Sequence, residues 1–225
     1  MYSDNDSLAK VIVPYHQQEK TKRNIFISSA CNCTKSISVT YDESISNGSK
    51  RFQWCSKESD QRDDHQLVVT YNLFGDVENG GINSRYFSLM RNISLAIEEY
   101  YPGWIMRIYH SFTENDRKAY QSLCDIYCQF PHVDLCSVTD IWQQIGNETT
   151  PIDPALIKGL NKRMYRFLVM LDHNVDVFIS RDIDSFVITR EIDAVREWLQ
   201  SNFTFHLMRD NPWHTDMILA GNGIL

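Results

Sequence analysis

The chain has 225 residues, 43% of them apolar and 23% charged, with a formal net charge of -7. That apolar content excludes a disordered chain and is enough for one large α/β unit, with or without an irregular extension. The acidic balance argues against a nucleic-acid partner, which requires clustered Lys and Arg, but not against a diphosphate ligand, because a bound cation reverses the local charge.

Residues 1–65 are rich in Ser, Asn, Lys and Asp, with only short apolar runs such as Ile25-Phe26-Ile27, and read as an extension with little core of its own. From Gln66 onward the pattern becomes α/β. Leu67 to Gly75 is a β-rich apolar run ended by glycine, which predicts a buried parallel strand. A helix is expected over Ser84–Tyr101, stopped by Pro102-Gly103, and a second strand over Trp104–His110, so that the three make a βαβ unit. Further on, the pattern predicts a helix over Glu114–Cys128 and a short strand over Val133–Val138. A loop over 144–158 and a helix over Leu160–Leu171 follow. A strand over Val175–Ile179 comes next, then a helix from Arg190 to about Gln200 capped by Thr189, and a fifth strand over Phe203–Met208. The alternation implies a mostly parallel sheet with helices on both faces.

No run approaches the roughly 20 apolar residues of a membrane span. Val11-Ile12-Val13 is too short for the apolar core of a signal peptide, so the chain read literally is cytosolic. Two features point the other way. Asn-x-Ser/Thr sequons occur at Asn5, Asn32, Asn47, Asn92, Asn147 and Asn202, where chance predicts about two, and Asn92 is the weakest because it lies in an expected helix. Six cysteines fall in two groups, Cys31, Cys33 and Cys55, then Cys124, Cys128 and Cys136. An even count fits disulfides of unspecified connectivity in an oxidising compartment. The alternative is zinc on Cys124, Cys128, His132 and Cys136, but Pro131 breaks the helix that would align them.

The residues with chemical promise follow the Val175–Ile179 strand, in Ser180-Arg181-Asp182-Ile183-Asp184-Ser185. Ligands of parallel sheets bind outside the carboxyl ends of the strands. In extended backbone, residues two apart point the same way, so Asp182 and Asp184 can converge on one hard cation, Mg²⁺ or Mn²⁺.

Asn72-Leu73-Phe74-Gly75, Tyr101-Pro102-Gly103-Trp104 with Arg107-Ile108-Tyr109-His110, the Ser180–Ser185 run, Arg190-Glu191, Ala194–Leu199, and His206–Asp210 with Pro212 and His214 are specific as a group. On them, residues from about 66 to 221 resemble a sparsely characterised family of animal glycosyltransferase-like proteins with the nucleotide-sugar (GT-A type) fold. The resemblance implies a nucleotide-sugar donor, a glycan or other hydroxyl acceptor, Mn²⁺ or Mg²⁺ at the acid pair, and a secretory-pathway setting such as the Golgi lumen. By position it makes Asp182 and Asp184 the metal and diphosphate ligands, lets Arg181 reach a phosphate, and puts Leu73, Phe74 and Gly75 at the edge of the nucleotide site. Asp210, flanked by Arg209 and His214, would be a general base for the acceptor. Glu191 either approaches the metal or serves its own helix terminus. Asn32, Asn47, Asn147 and Asn202 are the candidate glycosylation sites.

The family pattern expects a Gly-Gly-x-Trp-Gly-like turn where Ala220-Gly221-Asn222-Gly223-Ile224-Leu225 stands, so the expectation is a domain cut short at its C-terminus. Two competing expectations follow. One is an inactive secreted or luminal binding module derived from a glycosyltransferase. The other is a phosphoester hydrolase in which Asp176 and Asp210 supply a second metal.

Overall fold

Gln66–Leu73 (β3) is buried along nearly its whole length because it lies inside a sheet covered by helices on both faces. The computed structural model describes residues 22–29, 31–40, 52–62, 64–75, 83–113, 115–145, 153, 155, 159–208 and 222–224. Around β3 run Ile105–His110 (β4), Val133–Ser137 (β5) and Val175–Arg181 (β6), in the order β5-β4-β3-β6, all parallel. Asn222–Ile224 (β8) lies antiparallel beside β6, and the two-residue strand His206–Leu207 (β7) pairs with β8 at the edge.

Strand alternation divides the core. Val69, Tyr71 and Leu73 of β3, Met106 and Ile108 of β4 and Ile179 of β6 join one cluster. It is covered by Asn83–Tyr100 (α2), Arg117–Gln129 (α3) and Thr189–Gln200 (α5). Val68, Tyr109 and Cys136 face the other way, against Val138–Gln144 (α4) and the 3₁₀ helix Lys162–Leu171. The expected α/β sheet with helices on both faces is therefore present.

Several local expectations change. The helix expected at Leu160–Leu171 is a 3₁₀ helix. With three residues per turn, Tyr165 stacks with Leu168 and Arg166 with Val169, and these four are its buried residues. The third strand ends at Ser137, whose hydroxyl accepts from Asp140 N–H (3.3 Å) and opens α4, a helix the sequence reading lacks. Ile188, not Thr189, is the N-cap of α5, with no side-chain capping bond. The fifth strand is not a neighbour of β6. It shrinks to His206–Leu207 because Phe203 and Phe205 lie in an exposed segment and β8 takes the place beside β6.

The N-terminal region is a hairpin of Lys22–Ser28 (β1) and Thr34–Thr40 (β2), then the short helix Lys57–Asp60 (α1). Three disulfides fasten it to the α/β unit: Cys31–Cys124, Cys33–Cys128 and Cys55–Cys136. All six cysteines are used, which removes the zinc reading, and the ring Nε2 of His132 lies 3.1 Å from the Ser94 carbonyl instead. Crosslinks of this number fit a secreted or luminal protein, and among the described residues no helix is long and apolar enough to cross a membrane.

Charge reinforces the fastening. Arg62 donates to both Asp134 carboxylate oxygens (2.7–3.1 Å) and to the Pro131 carbonyl, and Lys35 reaches the Val133 carbonyl across the Tyr127 ring. Alongside, Arg107 pairs with Asp172 (2.6 Å) and Gln66 (2.8 Å). Burial pulls the Lys35 ammonium down to about 7, with Asp134 opposing. The charged groups of Arg62 and Asp134 and of Arg107 and Asp172 are paired, as burial demands, while Arg107 Nε and the Tyr127 hydroxyl have no hydrogen-bond partner among the described residues.

Candidate functional site

The chain leaves β3 toward β4 and β5 on one side, then returns past β3 to form β6 on the other. The topological switch point therefore lies between the carboxyl ends of β3 and β6, where open parallel sheets form a crevice. Leu73-Phe74-Gly75 leave the sheet at one of these ends and Asp182-Ile183-Asp184 at the other. The fold thus brings together two groups more than a hundred residues apart.

At the β6 end the backbone turns rather than extends, with Ser185 N–H donating to the Asp182 carbonyl (3.2 Å). Ile183 is buried, whereas Asp182 before it is half-buried and Asp184 after it exposed. Asp182 is 33% exposed and forms an ion pair with Arg166, whose side chain is 3% exposed. Burial raises the Asp182 carboxyl above its ordinary range, Arg166 opposes this, and the nearby Asp184 charge adds to the rise. Two hard oxygen donors that repel each other suit Mg²⁺ or Mn²⁺. Among the described residues no group of three or more His, Cys, Asp or Glu gathers to hold a metal, so a cation here would take its remaining ligands from a diphosphate and water.

Two nominated residues turn inward. Arg181 is buried, pairs with Glu191 and donates to the Ser185 carbonyl (2.8 Å). Glu191 also accepts from the Tyr101 hydroxyl (2.8 Å). Arg181 therefore fastens the Asp182–Ser185 turn to α5, and Glu191, the acid in the first turn of that helix, is engaged by Arg181 and Tyr101. Leu73 is 2% exposed and belongs to the core under α2, whereas Phe74 is half-buried and Gly75 is exposed at the rim with φ 109, a conformation that favours glycine. Asp176 pairs with His65 (3.0 Å) at the amino end of β6, about 20 Å of strand from Asp182, so it cannot supply a second metal there. Asp210, Arg209 and His214, with Asn47 and Asn147, lie outside the described residues. Asn32 and Asn202 are exposed, as is Asn92 on α2.

Arg166 is the residue the sequence reading missed. A single arginine inside Tyr165-Arg166-Phe167-Leu168-Val169 was its available signal, since a charge in an apolar run must find a partner. It is aimed by the 3₁₀ helix, which docks on β3 through the Thr70 hydroxyl donating to the Arg166 carbonyl (2.9 Å) and Asn72 Nδ2 donating to the Lys162 carbonyl (2.9 Å). Its guanidinium also donates to the Arg181 carbonyl (3.0 Å).

His110 closes β4 at the same edge of the sheet, 3% exposed, between Phe112 and Tyr120. Burial lowers it to about 4, against the opposing charge of Asp140. The unfolded chain protonates this imidazole near 6.5 and the folded one does not, so stability falls as pH drops through that window. Between pH 7 and pH 5 the loss is about 2 kcal/mol, order-of-magnitude. Urea unfolding of His110→Gln should lack this component, and an identical pH slope in the variant would refute the assignment.

No protein-family model matches the chain, and no curated protein does.

Proposed function

We propose that this chain is a glycosyltransferase-type domain of the nucleotide-sugar (GT-A type) class. The donor diphosphate would lie at the switch point between β3 and β6, with Mn²⁺ or Mg²⁺ held by Asp182 and Asp184. The observation that carries this reading is the acid pair Asp182 and Asp184 past the end of β6 at that crevice, backed by the buried Arg166 guanidinium. The resemblance over residues 66–221 adds the substrate class, and the disulfides and sequons favour a secretory setting such as the Golgi.

The bound cation would supply neutralisation of the charge on the leaving diphosphate. The chain's own part is positional. Ile183 anchors the turn, Arg181 ties it to Glu191 on α5, and Arg166 holds a fixed positive charge beside it. Gly75 and Phe74 form the opposite rim. Asp210 remains the proposed base for an acceptor hydroxyl.

Calorimetric titration of UDP and GDP into the chain with Mn²⁺ tests the reading. Binding of at least one nucleotide is expected, weakened at least roughly a hundredfold by Asp182→Ala with Asp184→Ala, a loss of about 3 kcal/mol. Failure of both nucleotides to bind, or equal binding by the variant, would overturn it. Binding without sugar transfer or donor hydrolysis would identify a non-catalytic binding module.

A further inference from the structure

The Asn32-Cys33-Thr34 sequon sits at the tip of the β1–β2 hairpin, and each of its three residues is constrained differently. Asn32 has φ 54, the left-handed region, and its N–H donates to the Ser29 carbonyl (3.1 Å). Cys33 is bonded to Cys128, and the preceding Cys31 to Cys124, so the loop is riveted twice to α3. Thr34 pairs with Ser28 in the first rung of the hairpin. The turn accepts an asparagine, which tolerates this conformation, and the strand accepts a threonine, so the hairpin holds a complete sequon without strain.

We infer that Asn32 is an N-glycosylation site open only before these two disulfides close, so that glycan addition and crosslinking compete in the nascent chain. An enzyme that reads a three-residue sequon must surround its backbone. Here that would require lifting Thr34 from the ladder and drawing Cys33 away from α3. Strands fray on their own, but a covalent S–S bond does not open by thermal fluctuation. Once the glycan is on, closure is unobstructed, because the Asn32 and Thr34 side chains face solvent. In the transfer, the Asn32 amide nitrogen bonds to the anomeric carbon of a lipid-diphosphate-linked oligosaccharide. The carbon–oxygen bond to the diphosphate breaks, the lipid diphosphate leaves, and one amide proton is released to solvent. The inference is independent of the donor-site proposal.

Asn202, exposed after α5 and outside every disulfide loop, is the internal reference. The full chain made without glycans would be offered, oxidised and reduced, to oligosaccharyltransferase with lipid-linked oligosaccharide. Transfer at each asparagine would be read by peptide mass spectrometry. The ratio of transfer at Asn32 to transfer at Asn202 should rise at least roughly tenfold on reduction. It should rise similarly in oxidised Cys124→Ser with Cys128→Ser, which keeps the sequon and the Cys55–Cys136 bond. A ratio indifferent to reduction, or no transfer to Asn32 in any form, would overturn the inference.

Discussion

Replacing Arg166 by Met should raise the affinity of the nucleotide-free chain for Mn²⁺ roughly tenfold and weaken UDP binding in the presence of Mn²⁺ by a similar factor. In the free chain the guanidinium already neutralises Asp182 from a buried position. A cation arriving at that carboxylate breaks the ion pair and leaves a buried positive charge without an anion, which penalises cation binding. On the proposed function, a bound diphosphate would supply the missing anion, cation and nucleotide would each strengthen the binding of the other, and by thermodynamic linkage the two factors would be equal. Because Asp182 is partly solvated, the pairing is worth about 1–2 kcal/mol rather than the larger cost of breaking a fully buried pair. Methionine keeps the packing of the arginine stem and removes only the charge. Titrating Mn²⁺ alone, UDP alone, and each in the presence of the other measures the coupling, which should fall about tenfold in Arg166→Met, leaving the part due to direct cation–diphosphate coordination. An unchanged affinity for Mn²⁺ would sink the pairing argument, whereas absence of nucleotide binding in both chains would sink the functional proposal itself.

The other large effect lies in the two crosslinks between the hairpin and α3. Cys31–Cys124 and Cys33–Cys128 span 93 and 95 residues, and a loop of that length closed alone is worth roughly 4–5 kcal/mol in the chain-entropy account. The two are not independent. With one closed, the other completes only a small ring through Cys31–Cys33 and one turn of helix, worth about half as much. With Cys55–Cys136 intact, the first bond closes a ring of roughly 36 residues, so removing either pair by Cys→Ser should cost about 2–3 kcal/mol and removing both about 6, more than the sum of the single losses. Urea unfolding of the two double variants and the quadruple variant, under oxidising conditions, reads this directly. Strictly additive losses would mean that each bond acts alone. A quadruple variant of nearly full stability would mean that Lys35, Arg62 and the Cys55–Cys136 bond hold the N-terminal region without the other two crosslinks.

Much of the α/β unit was legible because its signals are local. The Leu67–Gly75 run, the Pro102-Gly103 stop and the apolar face of α2 each report their own element. That two acids follow directly on a strand was legible for the same reason, although the segment expected to be extended is a turn. The weak points were features whose cause is distant in sequence. Nothing around Phe203–Met208 reveals that Asn222–Ile224 enters beside β6 and pushes β7 to the edge. Nothing local distinguishes an α-helix from a 3₁₀ helix at Lys162–Leu171, where the choice follows from packing two stacked pairs onto the sheet.

Local signals were enough for a parallel sheet between helices, with two acids past the end of one strand, because period and propensity act over neighbouring residues. Which arginine lies beside those acids depended on long-range packing. Arg181, their immediate neighbour, alternates inward to Glu191, while Arg166, from another element, is carried to Asp182 by the docking of the 3₁₀ helix. Long-range packing likewise decided that each N-terminal cysteine pairs with one in the second group, because pairing depends on which segments meet in space and not on their spacing along the chain.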